Sequence, residues 1–190
     1  MSLITREVFL CFRVLILRMS PSTLTPLWPI ILNELYGQLA ELRDLLGRTT
    51  DRLEIRAGLV NQYLSVSKLL DQALILPAHF LPDFQVHTWA FVQDQPTLDV
   101  PGGCFSAVSH QISGLLGEQV TTIPRRKCHC PYINMPTISD IKELQPFFTC
   151  LSRDGLFSLD EPDMGESPET LVLGALTELL DREFLQSDIS

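Results

Sequence analysis

The chain has 190 residues, 45% of them hydrophobic and 19% charged, with a formal net charge of −9. That length suits one domain with a sizeable core; the negative balance excludes a nucleic-acid-binding domain and a general attraction to anionic membranes, since phosphate attraction needs a positive footprint. Five cysteines cannot all pair within one chain, the apolar run 8–17 is broken by Arg13 and followed by no small-residue cleavage site, and no Asn-x-Ser/Thr site occurs, so a cytosolic chain with reduced thiols is expected.

Residues 6–19 are apolar on nearly every side, interrupted by Arg13 and Arg18, which is the pattern of a helix buried on several faces. The Ser-Pro-Ser at 20–22 stops it. Thr25 as N-cap and Pro26 at the first helical position open a second helix. Along it Trp28, Leu32, Leu35, Leu39, Leu42 and Leu46 alternate spacings of four and three, an a/d seam, with Gly47 as the stop. Asn33, Gly37, Glu41 and Asp44 fall on the opposite, solvated face, and Gln38 beside the seam is expected to be exposed. Asp51 then caps a third helix to about Leu76, on which Val60, Tyr63, Ser67, Leu70 and Leu74 continue the spacing. A connection of about four residues makes helices two and three an antiparallel hairpin, the core unit over about 25–76.

Residues 77–103 are irregular, with prolines at 77, 82, 96 and 101. Within them 87–92 (HTWAFV) reads either as a short extended piece or as an ordered loop with Trp89 and Phe91 anchored in the core. Residues 105–116 form a short helix, 125–136 a loop with a small basic and cysteine cluster, and 139–151 a helix with Ile141, Leu144, Phe147 and Phe148 as its apolar positions. Pro146 is expected to kink or shorten that helix. An acidic linker covers about 154–167. Ser167, Pro168 and Glu169 then supply the cap, first-turn proline and favourable acid of a last helix over about 168–186. Its apolar positions Val172, Leu173, Ala175, Leu176, Leu179, Leu180 and Phe184 cover about half the circumference, so it is expected to dock in a groove between two other helices. The fold class read from this pattern is all-α: a helical hairpin and bundle of long amphipathic helices with irregular proline-rich connections, in a single domain over 1–190.

No phosphate-cradling glycine loop, Gly-x-Ser-x-Gly elbow or His-Glu-x-x-His occurs, so no catalytic residue and no cofactor site is read. Cys128, His129 and Cys130 are the one metal-like cluster, but they stand closer together than a Cys-x-x-Cys knuckle and lack a second pair at suitable spacing. A zinc or cysteine enzyme is the weakest reading; the plainer one is a loop with reduced thiols. Arg48, Arg52 and Arg56 recur every four residues across the turn into the third helix, and Arg125, Arg126 and Lys127 form a second basic run. Either set suits an anionic lipid headgroup or an acidic partner; the plainer reading is a solvated face paired locally with Asp44, Asp51 and Glu54. Tyr36, Leu45 and Leu59 lie off the leucine seam and would stay wet in an isolated hairpin, which marks them as candidate self-association residues in an isologous homodimer.

Several stretches also resemble a known family. Residues 9–21 (FLCFRVLILRMSP) with 24–30 (LTPLWPI), then 68–77 (KLLDQALILP) with 81–91 (LPDFQVHTWAF), then 144–148 (LQPFF) and 181–185 (DREFL) resemble, in order, the C-terminal region of the Dopey family. The resemblance implies a non-enzymatic C-terminal domain of a large cytosolic scaffold, peripheral on Golgi and endosomal membranes. It implies partners in a HEAT-repeat scaffold related to the large Arf exchange factors and in a phospholipid flippase, with a leucine-zipper-like C-terminal region linked to self-association, phosphoinositide binding and motor recruitment. One departure is visible: residues 105–117 contain no Lys or Arg, where other members carry a more basic helix.

Overall fold

The computed structural model describes residues 2–48, 57–92, 106–117, 131, 133–152 and 168–187, and every regular element among these is helical. In chain order they are α1 (Ser2–Arg18), α2 (Pro21–Leu24), a 3-10 turn at Thr25–Leu27, α3 (Trp28–Arg48), α4 (Ala57–Ile75), α5 (Pro82–His87), a 3-10 turn at Thr88–Ala90, α6 (Val108–Leu116), a 3-10 turn at Ile141–Leu144, α7 (Gln145–Ser152) and α8 (Pro168–Ser187). The all-α expectation therefore holds. Packing runs from α1 to α4, from α4 to α3, from α3 to α6 and from α6 to α7, with α8 laid on α1.

The second helical unit begins earlier than expected. Ser20 has the extended backbone of an N-cap and Pro21 stands at the first helical position, where its missing N–H costs nothing. Thr25 instead has helical dihedrals, and its Oγ1 donates to Asp83 Oδ2 at 2.9 Å, tying this turn to α5. The buried stripe of α3 is Trp28, Ile31, Leu35, Leu39, Leu42 and Leu46. Ile31 takes the place expected for Leu32, which is half-buried, because at 3.6 residues per turn a step of three from Trp28 tracks the same face as a step of four. Gln38 is half-buried as well, and its Oε1 accepts from Gln62 Nε2 at 2.5 Å.

Helix α4 is covered on nearly all sides. Val60, Tyr63, Ser67 and Leu70 are buried as the spacing predicts, Leu74 is half-buried, and the polar Gln62, Lys68, Asp71 and Gln72 are also buried. Two of its polar groups hold the segment leading to α7: Asp71 Oδ2 accepts from the Ile133 N–H at 2.9 Å, and Asn61 Oδ1 from the Ile138 N–H at 3.2 Å. Residues 49–56 between α3 and α4, and with them the expected short connection and the Asp51 cap, lie outside the described residues. The pairing of Gln38 with Gln62 fits the antiparallel hairpin.

Residues 82–90 are helical, neither extended nor a loop. Phe84 and Phe91 share one side after seven residues at about 100° each, whereas Trp89 is turned about 140° away from Phe84. The two phenylalanine rings stack at 5.9 Å, and Trp28 meets Phe84 at 5.8 Å. Phe91 is buried as expected; Trp89 is 57% exposed. Helix α6 ends at Gly117 with φ 95°, a conformation that a side chain would strain. Asp140 and Glu143 form a capping box ahead of α7. Pro146 is the second residue of α7, where no intrahelical N–H is needed; the α-helix begins at Gln145, shorter than the expected 139–151, with the 3-10 turn at Ile141–Leu144 ahead of it.

Helix α8 buries Val172, Leu176, Leu179 and Leu180, while Leu173 and Ala175 are half-buried and Phe184, expected among the apolar positions, is 46% exposed. The inward position of that turn belongs to Glu183, which bonds to α1 and α4 together. The expected docking between two helices is thus realised through a narrower apolar stripe and a carboxylate.

Candidate functional site

Two features of the α4 surroundings bear on function: an open cleft on the α3 side and a closed charge cluster on the α1 and α8 side. The cleft holds about 440 Å³ and is lined by Gly37, Ala40, Glu41, Asp44, Leu45 and Arg48 of α3 with Leu59 and Tyr63 of α4. Small residues on α3 open it; a Cβ on Gly37 would meet nothing within 4 Å. Leu45 and Leu59 pack against the core yet stay half-exposed. Tyr63 is buried, and burial together with the charge of Glu41 pushes its hydroxyl up to about 12. At the rim Asp44 pairs with Arg43 at 2.7 Å, and Arg43 also donates to Gln111 of α6 at 3.2 Å. The cleft therefore offers apolar side chains inside and mixed charge at its edge, which suits side-chain insertion by a protein partner.

The structure brings together three of the residues singled out in the sequence: Leu45, Leu59 and Arg48. Tyr36 is not with them. Nine residues at about 100° each set Tyr36 on the opposite flank of α3 from Leu45, where its ring meets Phe91 edge-on at 6.2 Å. Arg52, Arg56, Arg125, Arg126, Lys127 and the cluster Cys128, His129 and Cys130 lie outside the described residues, as does the acidic linker 154–167. Among the described residues no three potential metal ligands converge.

The charge cluster was not among the sequence candidates. Arg13 Nη1 donates to Glu183 Oε2 at 2.6 Å and Lys68 Nζ to Glu183 Oε1 at 2.7 Å. Gln72 completes it, accepting from Arg13 Nε at 3.1 Å and donating to the Arg13 carbonyl at 2.8 Å. Burial pushes the Lys68 ammonium down against the opposing pull of Glu183. Burial alone would raise Glu183, but the charges of Arg13 and Lys68 outweigh it and hold the carboxyl below its usual range. The signal present in the sequence was Arg13 itself: a lone charge in an otherwise apolar helix, once buried, requires a partner.

Comparison with known proteins places residues 2–154 under a family model described as DOP1 C-terminal. The chain is 30% identical over 223 aligned positions to Protein DOP1B of Xenopus laevis, covering 95% of this chain and 10% of that protein. It is 31% identical to Protein DOP1B of Mus musculus, covering 97% and 10%, and 31% identical to Protein pad-1 of Caenorhabditis elegans, covering 78% and 6%. The chain thus spans about a tenth or less of the length of these curated relatives. The 223 positions exceed this chain's 190 residues, so the Xenopus relative carries residues here that this chain lacks. No solved structure matches.

Proposed function

The chain belongs to the DOP1, or Dopey, family, and from that premise we propose that it is a non-enzymatic assembly domain which self-associates through the α3/α4 cleft. The half-exposed Leu45 and Leu59 in an open cleft carry this reading: a second copy that inserts apolar side chains there removes both leucines from water, at about 25 cal/mol per Å² of apolar surface. The chain charge of −9 opposes association between copies, so added salt strengthens it modestly. In the cell the domain acts within a larger scaffold, peripheral on Golgi and endosomal membranes, alongside a HEAT-repeat scaffold related to the large Arf exchange factors and a phospholipid flippase. That wider role rests on the family resemblance. No helix among the described residues is long and apolar enough to cross a membrane.

Light scattering at micromolar concentration tests the assembly role. The wild-type chain is expected to run as a dimer, and Leu45→Asp with Leu59→Asp as a monomer with unchanged helical circular dichroism. A monomeric wild type rejects self-association; a dimer that survives both substitutions moves the contact away from the cleft. A phosphoinositide-binding role is the other outcome this surface admits, but Glu41 and Asp44 stand beside Arg48 and weaken the rim's attraction for an anionic headgroup. Retention on phosphoinositide liposomes at low salt would favour it over self-association.

A further inference from the structure

The seat of α8 is electrostatically incomplete. Arg13 and Lys68 are 1% and 4% exposed and both belong to the segment 2–154 matched by the family model, while their carboxylate, Glu183, comes from a helix beyond that match. Glu183 is thus shared by two buried cations, Arg13 and Lys68, and Arg6 adds further positive charge at Lys68. Arg13 uses Nε and Nη1, but its buried Nη2 has no hydrogen-bond partner among the described residues. A buried cation with an unused donor is a costly state that a second acceptor would relieve. The apolar half of the seat is complete by comparison: Val172, Leu176, Leu179 and Leu180 are all buried, and at about 100° per residue Glu183 falls in the middle of the face they form.

We propose that the groove between α1 and α4 is a docking seat for a partner's amphipathic helix carrying two acidic residues one turn apart on its apolar face, and that α8, with one such acid, is the resident helix this partner displaces. Charge complementarity selects the occupant: a second carboxylate meets the unused Arg13 donor, while a helix with Lys or Arg on that face is repelled by Arg13 and Lys68. Tethering keeps α8 in place, because its covalent link gives it an effective concentration that a free helix with the same single acid does not match. Displacement would uncover Val172, Leu176, Leu179 and Leu180 beside Leu171 and Phe184, which are already exposed.

The test uses the full chain and fluorescent peptides of residues 168–187, read by anisotropy and by hydrogen exchange of α8 in the chain. The peptides are the wild-type sequence, Glu183→Gln, and two that add an acid one turn to either side of Glu183, Leu179→Glu and Ser187→Glu. At least one two-acid peptide is expected to bind roughly ten-fold or more tighter than the wild-type peptide, the worth of one charged hydrogen bond, and to strip protection from α8. The Glu183→Gln peptide is expected not to bind. Lys68→Gln in the chain, which leaves Arg13 paired, should reduce the preference for the second acid. Two-acid peptides that bind no better than wild type overturn the proposal, and so does tight binding that leaves α8 protected.

Discussion

Helices α3 and α4 have similar lengths, 21 and 19 residues, and form one hairpin, yet they are buried in different ways. α3 buries a single stripe and keeps Asn33, Glu34, Gly37, Glu41 and Asp44 exposed. α4 is enclosed by α1, α3 and the segment leading to α7, so Gln62, Ser67, Lys68, Asp71 and Gln72 are buried with the leucines. A one-sided helix is held by apolar area and is readable from periodicity. An enclosed helix with polar residues is held in addition by specific pairs, whose partners come from elements up to 115 residues away in sequence, as Lys68 and Glu183 show.

Breaking the α4 side has the largest expected effect. Glu183→Ala leaves two buried cations without their carboxylate and should cost about 3–5 kcal/mol in urea unfolding. Because its neighbours hold the Glu183 carboxyl below the usual range, the stabilisation is fully present above the ordinary carboxylate pKa of about 4.3 and is lost as pH falls through the folded value. The difference between wild type and Glu183→Ala should therefore narrow in acid; a difference that stays constant down to pH 2 would show that the charge pair contributes little.

On the α3 side Leu39 is 0% exposed, and Leu39→Ala should cost about 2–5 kcal/mol through lost burial and a cavity. That loss involves no titrating group, so it should not narrow in acid as the Glu183→Ala loss does. Equal pH dependence of the two variants would remove the distinction between the helices. The smallest effect sharpens the boundary between them. An exposed Gln38 would cost under about 0.5 kcal/mol when changed to Ala, but Gln38 accepts from the buried Gln62, so Gln38→Ala should cost about 1–2 kcal/mol. A double-mutant cycle with Gln62→Ala reads that coupling directly.

What the sequence determined by itself is what a single helix can encode. It gave the all-helical class, the α3 stripe but for the exchange of Leu32 and Ile31, the Pro168 start of α8, and the family through long stretches in the right order. It also marked Leu45, Leu59 and Arg48, which the fold gathers into one cleft. Local signals failed at 20–26: Ser-Pro-Ser reads there only as a stop and Thr25 with Pro26 as the next start, whereas Ser20 with Pro21 both ends one helix and opens the next, and the helical path continues through Thr25 and Pro26. Only the tertiary structure decided that Trp89 faces outward, that Glu183 and not Phe184 points into the bundle, and that Arg13, Lys68 and Gln72 share one buried network. The physical reason is that periodicity records which side of one helix is apolar, whereas the neutralisation of a buried charge depends on which distant element arrives beside it, and no spacing along the chain carries that distance.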